Sequence, residues 1–321
     1  MNHTTNSGAS TDTSLYHLKT LTVIALKITS CSVVGVLSLV GNILVIVVVF
    51  RVARMKTTTF YLIVNMCIID ILFTFVAMPV FMLQIVDTGL NIGGSVGTFL
   101  CKFINPCAFG LMTSSVLTMT AIALDRYLAV KRPLQVVMGM KMLKGILISI
   151  WTLSFLAVSL PMTFAYKLRQ ENGTYYCLES WTESTTDNDA ISRIYTIILF
   201  IIMYLIPFTT MGGLYIVVAH HLWCRPTPGP FHPVRRYLTI SRRKVVRMLV
   251  AVWICFVVCW LPLQVIALLV FFHDDDIPSG VYFAAEFLTR ANGAINPFLY
   301  VIFSRVFRKA TVKALPMCFK H

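Results

Sequence analysis

Charge is what this sequence has least of. Only 12% of its 321 residues are Asp, Glu, Lys or Arg, about half of the roughly 25% found in an ordinary soluble domain. A chain so poor in charge, and 57% hydrophobic, excludes a soluble globular domain and reads as a membrane protein. Acidic residues are scarcer still, 13 against 27 Lys and Arg. Also missing are the residue sets that chemistry requires. There are no paired carboxylates, no nucleophile–base set, no cluster of transition-metal ligands and no Gly-rich phosphate loop, so neither an enzyme nor a required cofactor is expected. No positively charged leader with a short apolar core precedes the first long apolar run, so a cleaved signal peptide is not expected. Internal repeats and low-complexity domains are absent.

What the chain has is long apolar runs. A membrane-spanning helix needs about 20 predominantly apolar residues. Seven stretches qualify, at roughly 24–50, 60–87, 99–130, 143–164, 194–222, 245–272 and 280–303, the last being weakest because it carries Glu286 and Arg290. The fold expected is an all-α membrane protein, a seven-transmembrane helix bundle over 22–303. Residues 1–21 are rich in Thr, Ser and Asn and read as a disordered extracellular terminus. Residues 304–321 read as a short amphipathic eighth helix and a brief cytoplasmic tail. In that helix Phe303 and Phe307 would face lipid, while Arg305, Arg308 and Lys309 would meet headgroups.

The net charge of +14 invites a nucleic-acid reading, but its distribution argues against one. Of the 27 Lys and Arg, 19 fall in 51–57, 131–144, 223–247 and 304–321, all on one side of a seven-span bundle. Lys and Arg mark the cytoplasmic side. Of the acidic residues, Asp125 alone lies at that side and Asp70 alone at mid-membrane; the other 11 fall at the outer side. This places the amino terminus outside and the carboxyl terminus in the cytoplasm of a multi-pass plasma-membrane protein. The basic face suits anionic lipids and an acidic cytoplasmic partner. Two Asn-X-Thr sequons, at Asn2 and Asn172, both fall on the outer side and are candidate glycosylation sites. Nine Cys are present. Cys101 opens the third span and Cys177 sits in the next outer loop, whereas the rest lie in spans or on the cytoplasmic side, where disulfides are rare. Cys101 with Cys177 is thus the one plausible bridge. It would hold the outer loop over the third span, and in a free chain such a loop is worth roughly 4 kcal/mol. Cys318, near the carboxyl end, is a candidate for palmitoylation.

Several polar residues interrupt the apolar runs. Asp70 is flanked by apolar residues in the second span, and an intramembrane carboxylate needs a partner, a proton or an ion. Ser115, Asn292 and Asn296 on other spans could meet it, and oxygen ligands suit a hard cation. Protonation without an ion is the alternative. Asp125-Arg126-Tyr127 closes the third span. Pro262, in Cys259-Trp260-Leu261-Pro262, interrupts the helix ladder of the sixth span and kinks it. Trp260 lies one turn from Phe256 on the same face. Asn296-Pro297-Phe298-Leu299-Tyr300 ends the seventh span. Taken in order, one motif per span, these residues resemble class A G-protein-coupled receptors over about 24–315. The resemblance implies a receptor that activates a heterotrimeric G protein and meets arrestin and receptor kinases. It assigns coupling and activation to Asp125, Arg126, Tyr127, Tyr215, Asn296, Pro297 and Tyr300. It assigns the hinge and toggle to Val116, Pro207, Phe256, Trp260 and Pro262. It implies an allosteric sodium ion among Asp70, Ser115, Trp260, Asn292 and Asn296. Many relatives carry an acid at the inner end of span six that holds the arginine; this chain has Arg242, Arg243 and Lys244 there, so appreciable basal activity is expected. A transporter or channel is the competing class, but no inverted repeat is present and charge within the spans is sparse.

The ligand is read from what replaces familiar anchors. Amine receptors carry an Asp where this chain has Ala108, and opsins carry a Lys where it has Arg290, so neither an amine nor retinal is expected. The pattern Cys177-Leu178-Glu179-Ser180-Trp181 resembles the neuropeptide Y, neuropeptide FF and RFamide receptor group, which implies a peptide ligand. A non-peptide small molecule is the alternative. An acidic outer face attracts a cation and raises its on-rate. The pocket residues expected are Glu179, Trp181, Gln264, Asp274, Asp275, Asp276, Tyr282 and Glu286, although Glu286 has Arg290 four residues on as a competing partner.

Overall fold

A computed structural model describes residues 7–311 except 53–54, 56, 87–91, 133–137, 172, 183, 225–232, 274–276, 305–306 and 309–310, and leaves aside the side chains of 7–19, 185–186, 233–239, 241–242, 271 and 273. Among the described residues, seven long helical passages follow one another. They are α1 (Ser7–Arg51), α2 (Thr58–Val86), α3 (Gly94–Lys131), a fourth passage that opens as α4 (Met140–Ser154), a fifth that opens as α6 (Thr185–Leu199), α8 (Pro233–His273) and α9 (Ser279–Phe303). Between the fourth and fifth lies an antiparallel hairpin of β1 (Tyr166–Glu171) and β2 (Thr174–Glu179), paired from Tyr166 with Glu179 to Glu171 with Thr174. The end of the bundle bearing this hairpin is called outer, and the end bearing Arg126 inner. With no water in a bilayer core, helices that satisfy their own backbone are the form such runs must take.

Among the described residues, six helices are long and apolar enough to cross a membrane, from Thr20–Arg51 to Arg243–Val270. The seventh passage, α9, carries Glu286 and Arg290 as an internal ion pair, which neutralises the charge that made this stretch the weakest in the sequence. Helix α1 begins at Ser7, whereas composition reads residues 1–21 as disordered; helix growth from an apolar span adds one backbone bond per residue fixed, so it propagates outward. The other passages also outrun their apolar runs, α8 reaching back to Pro233, a residue well tolerated in a first helical turn.

The proline positions acquire a structural reason. In the fourth passage a π-helical turn, Phe155–Ser159, precedes α5 (Leu160–Ala165), which carries Pro161 in its first turn. In the fifth, Phe200–Leu205 does the same before α7 (Ile206–Trp223) and Pro207. A proline lacks the N–H and crowds the preceding turn, and a widened turn absorbs both defects. Pro262 and Pro297 sit inside α8 and α9.

Polar side chains stitch the bundle where lipid supplies no partner. Asn42 donates to Ser38 O at 2.8 Å and across to Gly293 O at 2.9 Å, joining α1 to α9. Asn65 donates to Thr118 Oγ1 at 2.9 Å and accepts from Trp151 Nε1 at 3.0 Å, joining α2, α3 and α4. Gly41 permits a close approach of α1 to α9: a Cβ there would lie 2.9 Å from the Pro297 ring. The apolar outside of the bundle, with Ile216 71% exposed and Phe75 63%, is the surface that lipid covers. The eighth-helix expectation is corrected in part. Phe303 is exposed, but Phe307 is fully buried, packed on Phe60 at 5.5 Å and on Tyr300 at 5.6 Å between ring centroids. Ser304 Oγ accepts from the Phe307 backbone N–H at 3.3 Å, which turns the chain so that this ring enters the bundle instead of lipid. Arg305, Lys309 and Cys318 lie outside the described residues.

Candidate functional site

At the outer end the hairpin is fixed to α3 by a disulfide between Cys101 and Cys177, with Cα atoms 5.4 Å apart. This is the pairing expected from the sequence. Beneath it lies a cavity of about 330 Å³ bounded by the third to seventh passages and by the hairpin, at the small end of the ~300–1,000 Å³ usual for ligand sites. Its walls are mainly apolar, with Phe109, Met112, Met162, Leu199 and Ile266 among them. Glu179, Gln264, Tyr282 and Glu286 all line it, so four of the expected pocket residues converge.

Two carboxylates therefore reach one apolar cavity. Glu179 Oε1 accepts from Trp181 Nε1 and from Ser192 Oγ at 2.9 Å. Glu286 pairs with Arg290; it faces the cavity and holds the arginine at once, so the two readings of this residue coexist. Trp181 is corrected: it does not line the cavity but packs on Tyr195, ring centroids 4.5 Å apart, with its N–H on Glu179. Its ring is taken by Tyr195, and its N–H holds the Glu179 carboxylate instead. Tyr166 and Tyr195, absent from the sequence reading, do line the cavity. Burial raises the Tyr166 phenol well above its usual range, with Glu179 adding to the effect, so it is a neutral hydroxyl. The only sequence clue to Tyr166 is its place at the end of the fourth apolar run. Asp274, Asp275, Asp276, Asn2 and Asn172 lie outside the described residues.

The cavity floor leads directly to the hinge. Phe200 and Tyr204, from the widened turn of the fifth passage, line the cavity and begin a row of rings. Tyr204 meets Phe208 at 4.4 Å, Phe208 meets Phe256 at 5.4 Å, and Phe256 stacks on Trp260 at 5.5 Å. Trp260 ends the row edge-on to Phe73 of α2 at 5.9 Å. Aromatic pairs at such separations add about 0.5–1.5 kcal/mol each beyond area burial. Val116 is fully buried beside this row and Pro207 is buried at its origin.

Below the hinge, Asp70 Oδ2 accepts from Asn296 Nδ2 at 3.0 Å, joining α2 to α9. Ser115 and Asn292 are also buried. The side-chain oxygens of Asn292 and Asn296 and the Ser114 hydroxyl are buried without a protein partner. Idle amide oxygens on α9, one of them on the residue that bonds Asp70, are of the type a hard cation takes. Trp260 brings no oxygen and so is no ligand for such an ion; its ring meets Phe73 and Phe256.

At the inner end, Arg126 donates through Nε to Asp125 Oδ2 at 3.0 Å and forms an ion pair with it. Thr58 and Thr59 at the start of α2 donate to the same carboxylate at 3.1 and 2.6 Å. Among the described residues Arg126 has no ion pair to α8. Arg243 instead turns to the end of α7, donating to Leu222 O at 2.8 Å, and with Arg247 covers the Trp223 ring at 5.8 and 5.4 Å. Tyr215 and Tyr300 are buried nearby on α7 and α9, while Tyr127 receives Lys131 over its ring at 5.9 Å.

A pinned outer hairpin, a cavity, a proline hinge and a threonine-held Asp-Arg pair define a helical membrane receptor. The sequence pattern described as 7 transmembrane receptor (rhodopsin family) matches residues 41–300, and the chain belongs to that family. It is similar to the substance-P receptor of Aquarana catesbeiana, 29% identical over 293 residues covering 89% of this chain and 69% of that receptor. The human substance-P receptor is 29% identical over 297 residues, covering 89% and 70%. A QRFP-like peptide receptor of Branchiostoma floridae is 31% identical over 285 residues, covering 85% and 72%. The chain is accordingly a multi-pass membrane receptor and not an enzyme.

Proposed function

We propose that this chain is a plasma-membrane receptor whose outer cavity takes one end of a cationic, amidated peptide and whose inner end activates a heterotrimeric G protein. The observation that carries the reading is the unbroken row of rings from the cavity floor at Tyr204 to Trp260, in the turn of α8 that precedes Pro262. A ligand that prefers one arrangement of these rings shifts the population of helix arrangements. The inner end of α8 then moves outward, Arg126 leaves Asp125 for Tyr215 and Tyr300, and a G protein enters. The relatives named for substance P and for a QRFP-like peptide support a peptide as the ligand class. A cavity of about 330 Å³ holds a terminal residue or two, which leaves the rest of the peptide to the hairpin and to Asp274, Asp275 and Asp276.

The same reading places the amino terminus, with Asn2 and Asn172 as glycosylation sites, outside the cell. The basic inner segments and Cys318 meet cytoplasmic lipid, and arrestin and receptor kinases share the inner face with the G protein. A sodium ion among Asp70, Ser115, Asn292 and Asn296 would neutralise the carboxylate and hold the resting arrangement. The test is a screen of amidated peptides on cells carrying the receptor and a promiscuous G protein. Saturable responses to peptides ending in Arg-Phe-amide support the reading. Responses confined to uncharged or anionic compounds would remove it.

A further inference from the structure

The two cavity carboxylates differ in what already holds them. Glu179 is met by the neutral donors Trp181 Nε1 and Ser192 Oγ. Glu286 is held by a cation. Arg290, one turn deeper on α9, places Nη1 on Glu286 Oε2 and on Glu286 O at 2.9 Å. Its guanidinium lies 3.8 Å from the centroid of the Phe81 ring of α2. Arg290 does not line the cavity; it stands behind Glu286, with Nε buried and without a partner. Lys27, the neighbouring cation of this corner, is spent on Phe283 at 4.7 Å.

We infer that Arg290 is an internal counter-ion that sets the charge specificity of the cavity, occupying Glu286 in place of a ligand cation. The inference rests on the cavity being the ligand site and specifies what that site reads. With Glu286 neutralised from within, the cavity presents one uncompensated negative charge, at Glu179. It takes one positive group beside an apolar body. A second ligand cation gains nothing, because claiming Glu286 would strand Arg290 between α2 and α9, and breaking a buried pair by removing one partner is strongly unfavourable. The pair is buried enough for this to hold, its side chains being 12% and 15% exposed. Arg is suited to the position, since its planar fork bonds the carboxylate while its face stacks on a ring.

Removing either partner should therefore admit a ligand group of that partner's own sign. The test measures binding to purified receptor in detergent with four capped probes: N-acetyl-Arg-Phe-amide, N-acetyl-Arg-Arg-Phe-amide, N-acetyl-norleucyl-Phe-amide and N-acetyl-norleucyl-Phe with a free carboxylate. In the unaltered receptor the two cationic probes bind within about threefold of each other. In Arg290→Gln the dicationic probe gains about tenfold over the monocationic one, the ratio that a charge interaction of ~1.4 kcal/mol gives. In Glu286→Gln the anionic probe gains by a similar factor. The double variant Glu286→Gln with Arg290→Gln returns to the original ranking. Should Arg290→Gln fail to fold, Glu286→Gln and the neutral double variant decide alone. No gain for the anion in Glu286→Gln, or a dication no better in a folded Arg290→Gln, overturns the inference. An unaltered receptor indifferent to every probe, with variants that still follow the charge swap, would instead remove the peptide reading and leave this one standing.

Discussion

The outer and inner ends of this bundle hold their charge in opposite ways. Outside, Glu179 rests on an indole N–H and a serine hydroxyl, at the wall of a cavity open to a ligand. Inside, Asp125 is saturated by Arg126, Thr58 and Thr59 and is 5% exposed. One carboxylate keeps capacity for an incoming cation, and the other has its cation next door in sequence. On the proposed function, the difference separates reception from restraint: the outer charge would gain a partner when ligand arrives, and the inner pair would have to lose one before a G protein could use Arg126. Between them a row of rings runs from Phe200 and Tyr204 at the cavity through Phe208 to Phe256 and Trp260 at the hinge.

The largest effect that would sharpen this contrast is expected at Arg126. Arg126→Ala should abolish G-protein activation, read as nucleotide exchange, while ligand binding persists within a few-fold. Retained exchange would place the inner charge elsewhere. Next comes the covalent clamp. Cys101→Ser should cost up to about 4 kcal/mol by loop constraint, and less where two helices already restrict the loop. Thermal unfolding and surface expression measure it, and the cavity side should lose ligand first. Glu179→Gln should then weaken a cationic ligand by about tenfold, as a charge-assisted hydrogen bond of ~1.5–3 kcal/mol becomes a neutral one, and the loss should shrink at high salt. An unchanged affinity would break the outer half of the comparison. The smallest effect is expected from Thr59→Val, which removes one of several hydrogen bonds to Asp125 and should raise ligand-free signalling a few-fold, a shift of about 1 kcal/mol.

Much of this was readable in the residues because a bilayer leaves few options. An intramembrane Asp must find a partner, and Asp70 finds Asn296. A cysteine at the outer end of a span has one counterpart on that side, and Cys101 takes Cys177. Charges in a span must pair, and Glu286 and Arg290 do so at one helical turn. What escaped reading depended on neighbours distant in sequence. Nothing near Pro161 or Pro207 announces a widened turn before each. Trp181 reads as a ligand contact from its motif, yet Tyr195 on the next passage claims its ring. Phe307 alternates with basic residues as a lipid-facing side chain would, but the space beside Phe60 and Tyr300 draws it inward. Tyr166 belongs to the cavity only because β1 turns back at the end of α5.

The central claim is that the outer cavity and the inner Asp125 and Arg126 pair report to each other through Phe208, Phe256 and Trp260. Binding energies coupled in this way are reciprocal, by a factor typically of about 5–150. The decisive measurement is the affinity of the most potent amidated peptide for purified receptor with and without nucleotide-free G protein. The account predicts tighter binding by such a factor when the G protein is present, reduced toward unity in Phe256→Ala with the affinity of the receptor alone little changed. Equal affinities with and without G protein in the unaltered receptor would contradict it.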